Sequence, residues 1–301
     1  MTVVNIMLQA LIAFVVFLAL KAIATYVMTS ESILVDATKK VSVPIISGWV
    51  DTKGFTDKQF TTSNMFAKNY VNLPNSVNRR GGAQFSYTMW VKFNDLSDAN
   101  VANKVLFVRG DKTIYPYTMR DSNNDTSNVK DYVVKCPLVR FGDSAKSLIV
   151  QFNTSNDIST QIDISRVPNA DETVRHNIFS LIPGKWIMLS FVFEDHMAYQ
   201  ETEDGVLFKM YVNDMLYHTQ HVPGMMRVNQ GDFNILPNKS TIEGGNLADI
   251  NYYNYALNAR EVAAISSRGF KNIRYNDMAS DPDFNQPLYL SQYNKLEINN
   301  L

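Results

Sequence analysis

The chain has 301 residues, with 28 Lys and Arg against 29 Asp and Glu, and a formal net charge of −1. That balance excludes a general nucleic-acid binder, which needs a basic face. Hydrophobic residues make up 46% and aromatics 12%, enough for a sizeable core and too much for a disordered chain. The single cysteine, Cys136, cannot form an internal disulfide. In a β-rich chain of this size that fits a reducing compartment better than a secreted one.

Residues 1–20 carry no charged side chain, and the apolar run continues past Lys21 to residue 28. A helix of about 25 such residues crosses a hydrocarbon core of roughly 30 Å. Residues 1–28 therefore read as a transmembrane anchor, with Lys21 and Tyr26 at headgroup depth. The alternative is a cleaved signal peptide, but no positive n-region precedes the run and the run is long for one. Lys21, Lys39, Lys40 and Lys53 follow the span and none precedes it. The positive-inside rule then places the remainder on the cytosolic side. Sequons at Asn124, Asn153 and Asn238 point the other way if used, although an Asn-rich chain produces such triplets by chance.

Residues 29–80 read as a polar stalk that becomes the first strand or strands, around 41–50 or 66–71. Arg79-Arg80-Gly81-Gly82 is either a basic patch or a solvated turn. In the next stretch Phe85, Tyr87, Met89, Val91 and Phe93 alternate with polar residues, the period of two that marks a half-buried strand. Trp90 falls on the polar face, either as a sugar-stacking platform or beneath a neighbouring segment. Residues 104–110 are a further strand, and 111–135 a polar surface excursion. Residues 137–142 and 147–153 form a hairpin. Residues 161–167 are a short strand stopped by Pro168.

Residues 186–193 are apolar on both faces. Trp186, Met188 and Val192 lie on one, and Ile187, Leu189, Phe191 and Phe193 on the other, so the strand belongs in mid-sheet. Residues 194–205 read as an acidic loop. Val206, Phe208, Met210 and Val212 then face inward, and Asn213-Asp214 turns the chain back, since both residue types tolerate φ > 0. A helix over 259–268 is specified by the N-cap Asn258, a capping box with Glu261, a staple between Leu257 and Val262, and Gly269 at C′. Residues 271–301 lose periodicity and read as an extended tail that orders only against a surface.

Four of these stretches resemble a known family. They are Phe85 with Trp90-Val91, Gly184-Lys185-Trp186, Tyr211-Val212-Asn213-Asp214, and Tyr253, Ala256, Leu257, Glu261 and Val262. Together, over roughly 82–269, they resemble the laminin-G-like branch of the concanavalin A-like lectin/glucanase superfamily, with Asn-Asp at the hairpin where that family has Asp-Gly. The resemblance implies an all-β jelly-roll sandwich of two antiparallel sheets over 81–270, with one N-terminal membrane helix and one short C-terminal capped helix.

Fold alone does not give function. The paired carboxylates of a glucanase strand are missing, so no catalytic residues are assigned and no enzyme is expected. Glu194, Asp195, Glu203 and Asp204 supply oxygens suited to calcium, or simply a solvated loop. His218 and His221, three apart on a strand, point to opposite faces and do not make a metal pair. No cofactor or metal is expected, and no carbohydrate-binding residue is fixed.

An apolar anchor, a stalk and an aromatic tail suit a structural protein. The combination resembles membrane-anchored minor capsid proteins of large DNA viruses that enclose an internal membrane. On that reading the partners are a lipid bilayer, through the N-terminal helix, and neighbouring capsid proteins, through the stalk, the sandwich surface and the tail. The body then sits in the virion, on the cytosol-derived face between inner membrane and capsid. The alternative is a membrane-displayed carbohydrate-binding, lectin-like module.

Overall fold

A computed structural model describes residue 21 and residues 39–76, 82–110, 135–145, 147–157, 160–164, 181–196 and 204–275. The chain divides into two compact units, 1–40 and 41–301. Of the first, only Lys21, Lys39 and Lys40 are described. The expected anchor at 1–28 (Lys21 apart), the polar excursion at 111–134 and the tail beyond 275 lie outside the described residues. Among the described residues no helix is long and apolar enough to cross a membrane.

The second unit is an all-β sandwich of two six-stranded antiparallel sheets. The first sheet runs β1 (Ser42–Asp51), β12 (Gly245–Tyr253), β3 (Gln84–Phe93), β8 (Ile187–His196), β9 (Gly205–Val212), β10 (Met215–Pro223). The second runs β2 (Lys58–Phe60), β11 (Phe233–Ile235), β4 (Val105–Gly110), β5 (Lys135–Phe141), β6 (Leu148–Phe152), β7 (Thr160–Ile164). Among the described residues it also has a 3-10 turn at Lys53–Phe55 and two α-helices, the single turn α1 (Asp98–Val101) and α2 (Ala259–Arg268).

Aromatic residues fill the space between the sheets. Tyr87 of β3 stacks on Phe233 of β11 at 5.6 Å, and Phe107 of β4 meets Phe191 of β8 edge-on at 5.8 Å. Phe93 meets Phe141, and Phe152 meets Phe193, in the same way. All these rings are buried. Each such side chain contributes about 1.5–3 kcal/mol of transfer free energy. The period-two reading of β3 therefore holds, and its five apolar residues form part of this core.

The double-sided reading of β8 holds as well. Leu189, Phe191 and Phe193 join the inter-sheet core, while Met188 and Val192 join a separate cluster on the outer face. The β9–β10 hairpin turns at Asn213, whose φ is 56°. The β5–β6 hairpin pairs as expected.

One alternative is decided and two expectations need correction. Of the two candidates for a first strand, 41–50 is realised as β1. Residues 66–71 instead form turns, with Phe66 88% exposed. Glu194, Asp195 and His196 belong to β8 rather than to a loop, because each pairs in register with β9. The face of β3 that looked solvated is covered, with Ser86 and Thr88 both buried.

Candidate functional site

The outer face of the first sheet is covered by α2, whose ends are set by local chemistry. Asn258 Oδ1 accepts from the Glu261 N–H at 3.0 Å, and Glu261 Oε2 accepts from the Asn258 N–H at 2.8 Å. This reciprocal box satisfies two N–H groups that a helix start leaves orphaned. Gly269 ends the helix at φ 70°, a left-handed value that glycine adopts without a Cβ penalty. Val262 of α2 and Leu257 before it are buried against Met188, Val192, Tyr211 and Tyr253 of the sheet.

Ser86 explains why a polar residue sits beneath this cover. Its hydroxyl donates to the Tyr255 carbonyl and accepts from the Leu257 N–H, each at 2.9 Å. It thus holds the chain that enters the helix. Trp90 lies beside the same cluster, its ring 5.6 Å from that of Phe270, which also meets Trp186 at 4.4 Å. One face of Trp90 is thereby occupied by the chain's own Phe270. Trp90 is thus half-buried, with a neighbouring segment against part of its ring.

The carboxylates do not converge. Asp195 is 2% exposed, and its two oxygens are already engaged: Oδ2 accepts from the Ala83 N–H at 2.8 Å, and Oδ1 from the Met226 N–H at 2.9 Å. Burial raises its pKa above the usual carboxylate range and outweighs these two donors. Gly82 allows the close approach, since a Cβ there would meet the Asp195 Cβ at 2.2 Å. Glu194 points elsewhere, 3.7 Å from Lys209 Nζ, an ion pair worth about 1 kcal/mol or less at a surface. Glu203 lies outside the described residues. Among the described residues, no three His, Cys, Asp or Glu form a metal-sized group. His218 Nε2 lies 3.2 Å from Gln220 Oε1 rather than against His221.

Of the sequons, Asn153 is 3% exposed and accepts from the Lys135 N–H at 2.7 Å. Its amide therefore serves as a strand-end clasp. Asn238 is exposed, and Asn124 lies outside the described residues.

The sequence reading missed one buried group. Arg109 of β4 is 2% exposed inside the core, its guanidinium 5.3 Å from the Tyr252 ring. Among the described residues no carboxylate pairs with it, and its Nε and the Tyr87 hydroxyl make no hydrogen bond. Burial raises the Tyr87 and Tyr252 phenols, and the Arg109 charge partly opposes that rise. Cys136 lies in the same interior, its thiol pushed up to about 12 by burial, and is therefore an inert core residue. The only sequence signal was an arginine at the end of an apolar strand, which ordinarily reads as solvated.

No protein-family model and no curated protein matches the chain. Solved structures with a similar course include binding domains of toxins. The botulinum neurotoxin serotype G binding domain is 16% identical, covering 62% of this chain and 36% of its own, at a TM-score of 0.38. The receptor binding domain of the botulinum neurotoxin C/D mosaic serotype is 9% identical over 62% and 36%, at 0.39. The binding domain of Paraclostridial Mosquitocidal Protein 1 is 14% identical over 74% and 47%, also at 0.39. The chain spans less than half the length of each, and likenesses this distant assign no function.

Proposed function

We propose that the chain is a non-enzymatic structural protein: a membrane-anchored minor capsid protein that links an internal membrane to the capsid shell of a large DNA virus. Its body is read as a laminin-G-like member of the concanavalin A-like superfamily. The observation that carries this reading is the uncharged run of residues 1–20, on the same chain as a sandwich packed solid between its sheets and covered by its own helix outside.

The test is flotation of the full chain with phosphatidylcholine and phosphatidylserine vesicles, followed by alkaline carbonate washing. The reading expects the chain to stay with the lipid after the wash. Release by carbonate overturns the anchor. A glycan array probed with the same preparation separates the lectin-like alternative. Specific binding that Trp90→Ala abolishes would favour the lectin.

A further inference from the structure

The chain has three tryptophans, Trp49, Trp90 and Trp186, and they share one face. Trp49 of β1 pairs with Ala248 of β12, Ala248 with Trp90 of β3, and Trp90 with Met188 of β8. Opposed residues of an antiparallel sheet project to the same side. With strands about 4.8 Å apart, Trp49 and Trp90 stand roughly 10 Å from each other on the outer face of the first sheet. Trp186 joins them through Phe270, which meets its ring and that of Trp90. All four rings are half-buried, unlike the fully buried rings between the sheets.

A strap over 271–274 lies along β1, with the Trp49 N–H donating to the Ile273 carbonyl at 2.8 Å. The Arg274 guanidinium stands 5.5 Å from the Trp49 ring. Ile273 and Ile182 are 49% and 46% exposed. Cations gather at the same place. Lys92 lies on the Trp90 side of β3, Lys185 precedes Trp186, and Arg268 and Lys271 bracket Phe270. The strands β1, β12 and β3 carry only two acids, Asp51 and Asp249. Both oxygens of Asp249 accept backbone N–H groups, from Gly48 and Lys271, and Asp51 Oδ1 accepts from the Lys53 N–H. Asp214 adds one acid in the β9–β10 turn. Five cations thus stand against three acids, on a chain whose net charge is −1.

We infer that this face rests on a bilayer surface that carries anionic headgroups. Tryptophan pairs an apolar body with a polar N–H and gathers at headgroup depth. Lysine and arginine beside it are drawn to anionic lipid, and exposed isoleucines reach the acyl boundary. A glycan suits the face less well. A stacking sugar needs an open ring face, whereas Phe270 and Arg274 already lie against these rings. The inference uses only residues of the sandwich and its strap, so it holds whether or not residues 1–28 cross the same bilayer.

Tryptophan fluorescence of the full chain tests it, because every tryptophan of the chain belongs to this face. The probes are vesicles of acyl-brominated phosphatidylcholine, alone or with phosphatidylserine. Bromine quenches only rings that reach the acyl boundary. With phosphatidylserine present, emission is expected to fall at least twofold, and 0.5 M salt should restore part of it by screening. Lys92→Glu with Lys185→Glu should cut the quenching by half or more, with an unchanged thermal midpoint in detergent and unchanged flotation. A chain that floats with its tryptophans unquenched would overturn this inference and leave the anchor standing. A chain that is quenched by the anionic vesicles but released by carbonate would do the reverse. Equal quenching with and without phosphatidylserine, or quenching indifferent to the double reversal, would also overturn it. So would an emission change that follows a glycan rather than lipid.

Discussion

The two edge strands of the first sheet are held in different ways. β1 is bent by two register shifts and overlaid by residues 271–274, whereas β10 pairs with β9 through a single register shift between Leu216 and His218 and ends at Pro223. Each is fixed by one aspartate. Asp249 Oδ1 accepts from the Gly48 N–H and Oδ2 from the Lys271 N–H, so one carboxylate ties β1 to its strap. Asp195 holds Met226, just past the end of β10, and Ala83, just before β3. The difference teaches that an aspartate can serve an edge in two ways. One ties an edge strand to the strap laid over it, and the other ties the segment past an edge strand to the sheet centre.

Four substitutions break or sharpen that comparison, each read by chemical denaturation of the full chain in detergent. The largest effect belongs to Asp195→Ala, which leaves two N–H groups without an acceptor, the Met226 group in a buried setting. At about 1–3 kcal/mol per orphaned group the loss should be about 3 kcal/mol. The same residue gives a pH signature. Its folded pKa is raised, so its contribution favours folding at low pH and is lost as pH rises through that raised value. The stability difference between the native chain and Asp195→Asn should therefore shrink from about pH 3 to pH 7. A difference that grows with pH contradicts the assignment.

Asp249→Ala comes next, at about 2 kcal/mol, since its two bonds are less buried. Arg274→Ala removes a guanidinium 5.5 Å from the Trp49 ring and should cost about 0.5–1 kcal/mol, as exposed cation–π contacts do. If either costs nothing, the strap does not protect β1.

Much of the body was legible in the sequence because its signals are local. The alternation in β3, the double-sided β8, the turn at Asn213 and the capping box of α2 each depend on neighbours a few residues away. What escaped depends on distant partners. Asp195 reads as one more acidic residue until Ala83 and Met226 are brought to it from other elements. Trp90 is left with two readings until Phe270, from beyond α2, is found against it. Arg109 sits in a buried aromatic setting that no periodicity announces, because Tyr87 and Tyr252 come from the opposite sheet. The strap on β1 is built by residues with no period of their own, so only pairing with Trp49 reveals it.

The contrast between the two edges is tested most directly by amide hydrogen exchange of the full chain in micelles, with the native chain and with Asp195→Ala. The Trp49 amide should exchange slowly in both, because the strap's carbonyl holds it. The Met226 amide should exchange slowly in the native chain, where Asp195 accepts it in a buried setting, and fast in Asp195→Ala. A Met226 amide that stays slow in Asp195→Ala, or a fast Trp49 amide, would contradict the account.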